Sequence, residues 1–351
     1  MTVTRSGPAP ATVAAVAGAR RRRSRHRRVV VGVLTATVIV VFTVGLMVGD
    51  RFVPLGDVLA VVAGADLPGT SFTVGRLRLP RGVLAILVGA CFGLGGVAFQ
   101  TMLRNPLASP DIIGISAGAS TAAAFAIVVL GLGATAVSVF AIVAGLAVAL
   151  LIYLLAFRGG VAGTRLILVG IGIAAMLTSL TDYILAGAAQ WDLQEALRWL
   201  TGSLNGASWG RVLPVLIALG CLGPVLLSRT RDLSATQLGD DTGAALGVRV
   251  GRARLVVVVA AVGLVAFGAA ATGPIAFVAF LSGPIAARIV GNRGSLMVPA
   301  ALVGALLVLG ADLLGQHALA LRYPVGVVTG VLGAPYLLYL IVRSHRAGAA
   351  L

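Results

Sequence analysis

Residues 112–157 run for 46 positions without one charged side chain. At about 1.5 Å of rise per residue, such a run exceeds a single crossing of a hydrocarbon core ~30 Å thick. It must therefore cross twice, and Gly131-Leu132-Gly133 is where the chain can fold back. Charge is costly at mid-membrane, so charged residues bound the other spans. They delimit 29–49, 82–103, 166–190 (interrupted only by Asp182), 212–228, 255–287, 294–311 and 323–342. The run 255–287 is too long for one crossing. Gly273-Pro274 divides it into a full span and a short one, because proline cannot continue the preceding helix. The reading is an all-α polytopic membrane protein with ten transmembrane helices. Its membrane domain covers 29–345, preceded by a disordered basic tail at 1–28 and followed by a short tail at 346–351.

Composition agrees. The chain is 59% hydrophobic and 11% charged, with a mean hydropathy of +1.05. The net charge of +16 comes from 27 basic residues, every one an arginine. A pI near 11.6 raises nucleic-acid binding, but these arginines form short clusters between apolar spans, with no interleaved aromatics. No nucleic-acid partner is expected. Instead the clusters follow the positive-inside rule. With the amino terminus inside, 20 of the 27 arginines fall on the inner side, leaving Arg51, Arg76, Arg78, Arg81, Arg198, Arg211 and Arg322 outside. Both termini are then cytoplasmic, and the basic tail anchors at the anionic leaflet of the bilayer. Cys91 and Cys221 lie in apolar spans, so no disulfide framework follows.

The longest internal cytoplasmic loop is 229–254. Within it, Ser234 can cap a helix and Asp240-Asp241 suit a first turn through the helix dipole. Leu238, Ala244, Ala245 and Leu246 give a small apolar side, and Gly247 can end the helix. Read from residues alone, the stretch is either a docking helix for another protein's groove or a solvated connecting loop.

The motif LG-x3-(small)-x2-LGV, from Leu238-Gly239 through Ala245 to Leu246-Gly247-Val248, resembles the coupling segment of permease subunits in the iron-siderophore and vitamin B12 (FecCD-type) class of ABC importers. RLPR at 78–81, FQTMLRNPLASPDIIGISAGA at 99–119, RWLTGSLNGASW at 198–209, GPIAFVAFLSGPIAARIVG at 273–291 and YPVGVVTGVLGAPYLLYLI at 323–341 are similar in order and spacing. The resemblance spans roughly 30–345. It implies the type II importer architecture: a bacterial inner-membrane permease working with a second permease subunit, identical or paralogous. Two cytosolic ATP-binding subunits and an extracytoplasmic binding lipoprotein complete the assembly. It also implies that Leu238, Gly239, Asp240, Ala244, Ala245, Leu246 and Gly247 receive the ATPases' motion. In family members, arginines matching Arg78 and Arg81 face acids on the binding protein; snorkelling to headgroups is the other reading of this pair. The family's third docking arginine is missing near Gln316-His317, and Arg322 stands close by to take its contact. Ile285 occupies a position where relatives often carry histidine.

Elimination narrows the chemistry. A phosphate-binding P-loop needs its lysine, and this chain has none, so the ATPase site lies elsewhere and no enzyme activity is expected. His26, His317 and His345 are isolated, so no metal site or resident cofactor is expected. Cargo then arrives already chelated; the resemblance to siderophore permeases, closest through FVAFLSGPIAARIVG at 277–291, implies a ferric siderophore, with vitamin B12 or haem as the alternative within the family. Outside the family, an ion-coupled secondary transporter would need coupling residues at mid-depth, where only Asp182 stands. Asp182, Thr178, Ser179 and Ser282 are the candidates for lining the path, together with Thr181. Asp312 reads as a helix-end acid that caps or reaches water.

Overall fold

A computed structural model of the chain describes residues 10–110, 114–156, 162–291, 294–318 and 321–348. Arg5, Arg158 and Arg293, counted above on the inner side, lie outside the described residues. Among those described, the regular structure is entirely helical. The elements are α1 (Pro10–Met47), α2 (Leu55–Val62), a π-helical segment (Ser71–Arg78) running into α3 (Leu79–Leu103), α4 (Ile115–Val128), α5 (Ala134–Ala156), α6 (Ala162–Ala186) and α7 (Gln190–Leu200). There follow α8 (Trp209–Ser228), α9 (Thr230–Thr236), α10 (Asp240–Ala245), α11 (Val250–Thr272), α12 (Val278–Val290), α13 (Met297–Leu313) and α14 (Val325–Gly348).

Among the described residues, seven helices are long and apolar enough to cross a membrane, and three apolar helices are shorter: Ile115–Val128, Val278–Val290 and Val325–Leu340. In order along the chain they follow the apolar runs bounded by charge. Two of the short ones, α4 and α12, rise only about 20 Å. Each follows a break in the backbone marked by a left-handed residue, Gly114 (φ 89°) before α4 and Phe277 (φ 65°) before α12. Non-helical backbone at membrane depth is tolerated where it is buried in protein or lines a cavity. Both predicted helix breaks are in place: α4 ends at Val128 and α5 begins at Ala134, while α11 ends at Thr272 and α12 begins at Val278.

The core forms around α3, which packs against α13, α11, α12 and α8. Its glycines explain the closeness of that packing. A Cβ on Gly89 would overlap the backbone of Gly304, one on Gly93 that of Ala300, and one on Gly96 that of Ala279. Lipid offers no hydrophobic drive between helices, so close backbone approach through small residues supplies the dispersion contacts instead. With α3, α11 is the most deeply buried span.

Three features depart from the sequence reading. Residues 10–28 are not irregular but continue α1 as helix; alanine and arginine are good helix formers, and the span already supplies the nucleus. Ser234 is not a cap. It lies inside α9 and its hydroxyl bonds back to the Thr230 carbonyl at 2.8 Å, while Gly239 (φ 119°) precedes α10. Finally, α2, the π-helical segment and the amphipathic α7 fill stretches that carried no expectation of helix.

Candidate functional site

At the arginine-rich end of the molecule, α9 and α10 form a compact bracket. Gly243 sits against Thr236, its missing Cβ leaving room for the two helices to pack. Leu238 and Leu246 do not turn inward to a core: they are 70% and 64% exposed. Gly239 and Gly247 supply the positive φ on either side of α10 (119° and 87°), as glycine does at little strain. Ala244 and Ala245 are exposed as well. Asp240 is the anchor. Arg254 of α11 donates to both of its carboxylate oxygens, at 2.9 and 2.7 Å, and Arg104 at the end of α3 pairs with it too. The bracket is thereby fastened to the two most buried helices.

The opposite end of α3 carries a second polar cluster, around a cavity of about 510 Å³ that Arg51, Arg78, Arg81, Asp312, His317 and Arg322 help to line. Arg78 turns inward over Gly49. It donates to the carbonyls of Leu46 (2.8 Å), Met47 (3.0 Å) and Arg51 (2.7 Å), closing the exposed carbonyls at the end of α1. Arg81 is bidentate to Asp312, with both contacts at 2.7 Å, and a third nitrogen reaches Asn205 Oδ1 at 3.0 Å. Asp312 is therefore an ion-pair partner, not a free helix-end acid. Arg322 pairs with Asp50 at the surface. That contact, first by its hydrogen bond and then by its charge, holds the Asp50 carboxyl below its ordinary value.

Between the two ends lies a cavity of about 860 Å³. Its walls come from α4 (Ser116, Ser120), α6 (Thr178, Thr181, Asp182), α7, the α11–α12 break with Phe277, and α12 (Phe280). Of the path candidates, Thr178, Thr181 and Asp182 line it. Ser179 is exposed on α6 but is not part of this wall, and Ser282 is fully buried, bonded to the Val278 carbonyl at 2.6 Å and packed towards Gly304. Sequence reasoning passed over Ser116 and Ser120, although their four-residue spacing places both on one helix face. Phe277 and Phe280, in T-shaped contact at 6.4 Å, were also missed. The Phe280 carbonyl is fixed by the buried Gln100 amide at 2.9 Å.

A bundle of membrane-crossing helices, interrupted beside an open cavity and tied to an exposed bracket at one end, is the construction of a multi-pass transport permease. The FecCD transport family model matches residues 13–343, and the chain belongs to that family. It is 38% identical over 306 residues to the ferric enterobactin transport system permease protein FepG of Escherichia coli (strain K12), covering 86% of this chain and 92% of that protein. It is 35% identical over 328 residues to the iron(3+)-hydroxamate import system permease protein FhuG of Bacillus subtilis (strain 168), covering 90% and 97%. Among solved structures, a metal-chelate type ABC transporter in an inward-facing conformation superposes with a TM-score of 0.81 at 26% identity, over 90% of this chain and 99% of that one.

Proposed function

We propose that this chain is the permease subunit of an ATP-driven importer of ferric siderophores. It pairs with a second permease, takes cargo from an extracytoplasmic binding lipoprotein and is driven by two cytosolic ATPases. The observation that carries this reading is the bracket at α9–α10. Two leucines stand in water beside a helix start whose anchor, Asp240, holds Arg104 and Arg254. An ATPase gripping Leu238 and Leu246 would move α3 and α11 with it, because the ion pairs transmit the push to the helices that form the core. Rigid helices rocking about close glycine contacts then switch the cavity between the two faces of the membrane.

The arginine bias favours this bracket and both termini on the cytoplasmic side. The binding protein then meets the end carrying Arg81 and Arg322. Arg322 is already at the surface, whereas Arg81 must exchange Asp312 for an acid of the partner, and Arg78 serves chiefly to close α1. Thr178 and Asp182 face the translocation path. The test is uptake of radio-iron chelates and labelled cobalamin in a strain lacking this gene and in the complemented strain. Restored uptake of ferric siderophore is the expected result. Restoration of cobalamin uptake alone overturns the cargo assignment, and no restoration of either overturns the reading.

A further inference from the structure

The large cavity has a distinctive electrostatic character. Among the described residues lining it, Asp182 alone is charged. It has no ion pair among the described residues, although the chain carries 27 arginines against 11 acids. The rest of the wall is hydroxyls (Ser109, Ser116, Ser120, Thr178, Thr181) and apolar or aromatic groups such as Phe277 and Phe280. A permease built to pass a highly charged anion would be expected to line its path with fixed cations. This wall offers the reverse: one fixed negative charge among neutral groups.

Resting on the ferric-chelate reading above, we infer that Asp182 is a charge filter, admitting neutral or cationic ferric chelates of the hydroxamate class and disfavouring polyanionic ones. The chemistry of the chelates supplies the contrast. Three monoanionic hydroxamates on Fe3+ give a neutral complex, and three dianionic catecholates give a trianion. A trianion held about 8 Å from one carboxylate in a water-filled cavity is disfavoured roughly tenfold, while a neutral complex of similar size is unaffected. Added salt reduces the difference through screening. The relatives leave this choice open, since one is named for enterobactin and another for iron(3+)-hydroxamate. Bulky neutral chelates find hydroxyls for their peripheral amides and aromatic edges for their carbon surface, without a fixed cation to retain them.

The experiment measures equilibrium binding of two radio-iron probes, a neutral ferric tris-hydroxamate and a ferric tris-catecholate. The protein is the purified permease–ATPase complex in zwitterionic nanodiscs without binding protein, so that the partner's own selectivity is absent. Wild type is expected to favour the hydroxamate. Asp182→Asn should narrow the ratio of the two affinities roughly tenfold, chiefly by strengthening catecholate binding, and the change should shrink as salt is raised. Ser120→Asp, which adds a second acid to the same wall, should widen the ratio and gives an independent reading if the first variant assembles poorly. An unchanged ratio in both variants, with both probes bound, overturns the filter and leaves the ferric-chelate reading intact. Binding of neither probe overturns the filter together with that reading.

Discussion

The tie between Arg81 and Asp312 invites a quantitative test. The pair joins residues 231 positions apart through two contacts of 2.7 Å. The side chains are 23% and 13% exposed, so it lies between a solvated surface pair, worth under about 1 kcal/mol, and a buried one, whose breakage costs about 3–5 kcal/mol. Asp312→Ala leaves Arg81 with Asn205 as its remaining side-chain partner, and a loss of about 2–3 kcal/mol is expected; Arg81→Ala strands the carboxylate at similar cost. Removing both groups leaves no stranded charge, so the double variant should lose less than the sum, with a coupling of about 2 kcal/mol. SDS-induced unfolding of the four proteins completes the cycle. The same pair makes a second, opposite-signed prediction. Asp312→Asn destabilises the permease but releases Arg81, so binding-protein docking should tighten, by up to about tenfold at low salt. Coupling below about 0.5 kcal/mol would refute the energetic argument. Weaker docking in Asp312→Asn, with folding intact, would refute the exchange.

Other expectations follow from the same contacts. Leu238→Asp with Leu246→Asp should leave folding unchanged, because both side chains are exposed, yet reduce co-purification of the ATPases at least tenfold. Asp240→Asn should leave ATP hydrolysis in place but uncouple it from uptake, since Arg104 and Arg254 lose their shared anchor; unchanged transport per ATP would sink the lever. Gly89→Val should destabilise by more than about 3 kcal/mol, because its side chain would enter the backbone of Gly304; Gly172→Ala, with open space around it, is the control, and equal losses would argue against the glycine seam. For Arg322–Asp50, the folded carboxyl titrates below the unfolded one. Whatever the pair contributes is therefore present above the ordinary aspartate value of about 3.9 and is lost only as pH falls through the lower folded value. Stability profiles of wild type and Asp50→Asn should run parallel from about pH 5 to 8; divergence near pH 6 would identify a different titrating group.

Much of this architecture is determined locally and can be read from the sequence alone. A charge at mid-membrane is costly whatever its neighbours, so charged residues delimit the apolar runs that become helices. Gly131–Gly133 and Gly273-Pro274 break helices through their own backbones, and Gly239, Asp240 and Gly247 mark a short helix without reference to the rest of the fold. Partnership is a different matter. Nothing in the residue types around Arg81 indicates Asp312 as its mate, nor that Asp240 would gather Arg104 from one helix and Arg254 from another. Arg78 illustrates the same limit: its place beside Arg81 suggests an outward-facing pair, yet the end of α1 draws its guanidinium inward. Whether a hydroxyl lines the cavity, as Thr178 does, or is sealed between helices, as Ser282 is, depends on helix rotation, and in a bundle apolar on nearly every face the sequence carries little signal for rotation. Close approach of Gly96 to Ala279 fixes α12, as Gly89 and Gly93 fix α13, and only the assembled helices decide that rotation.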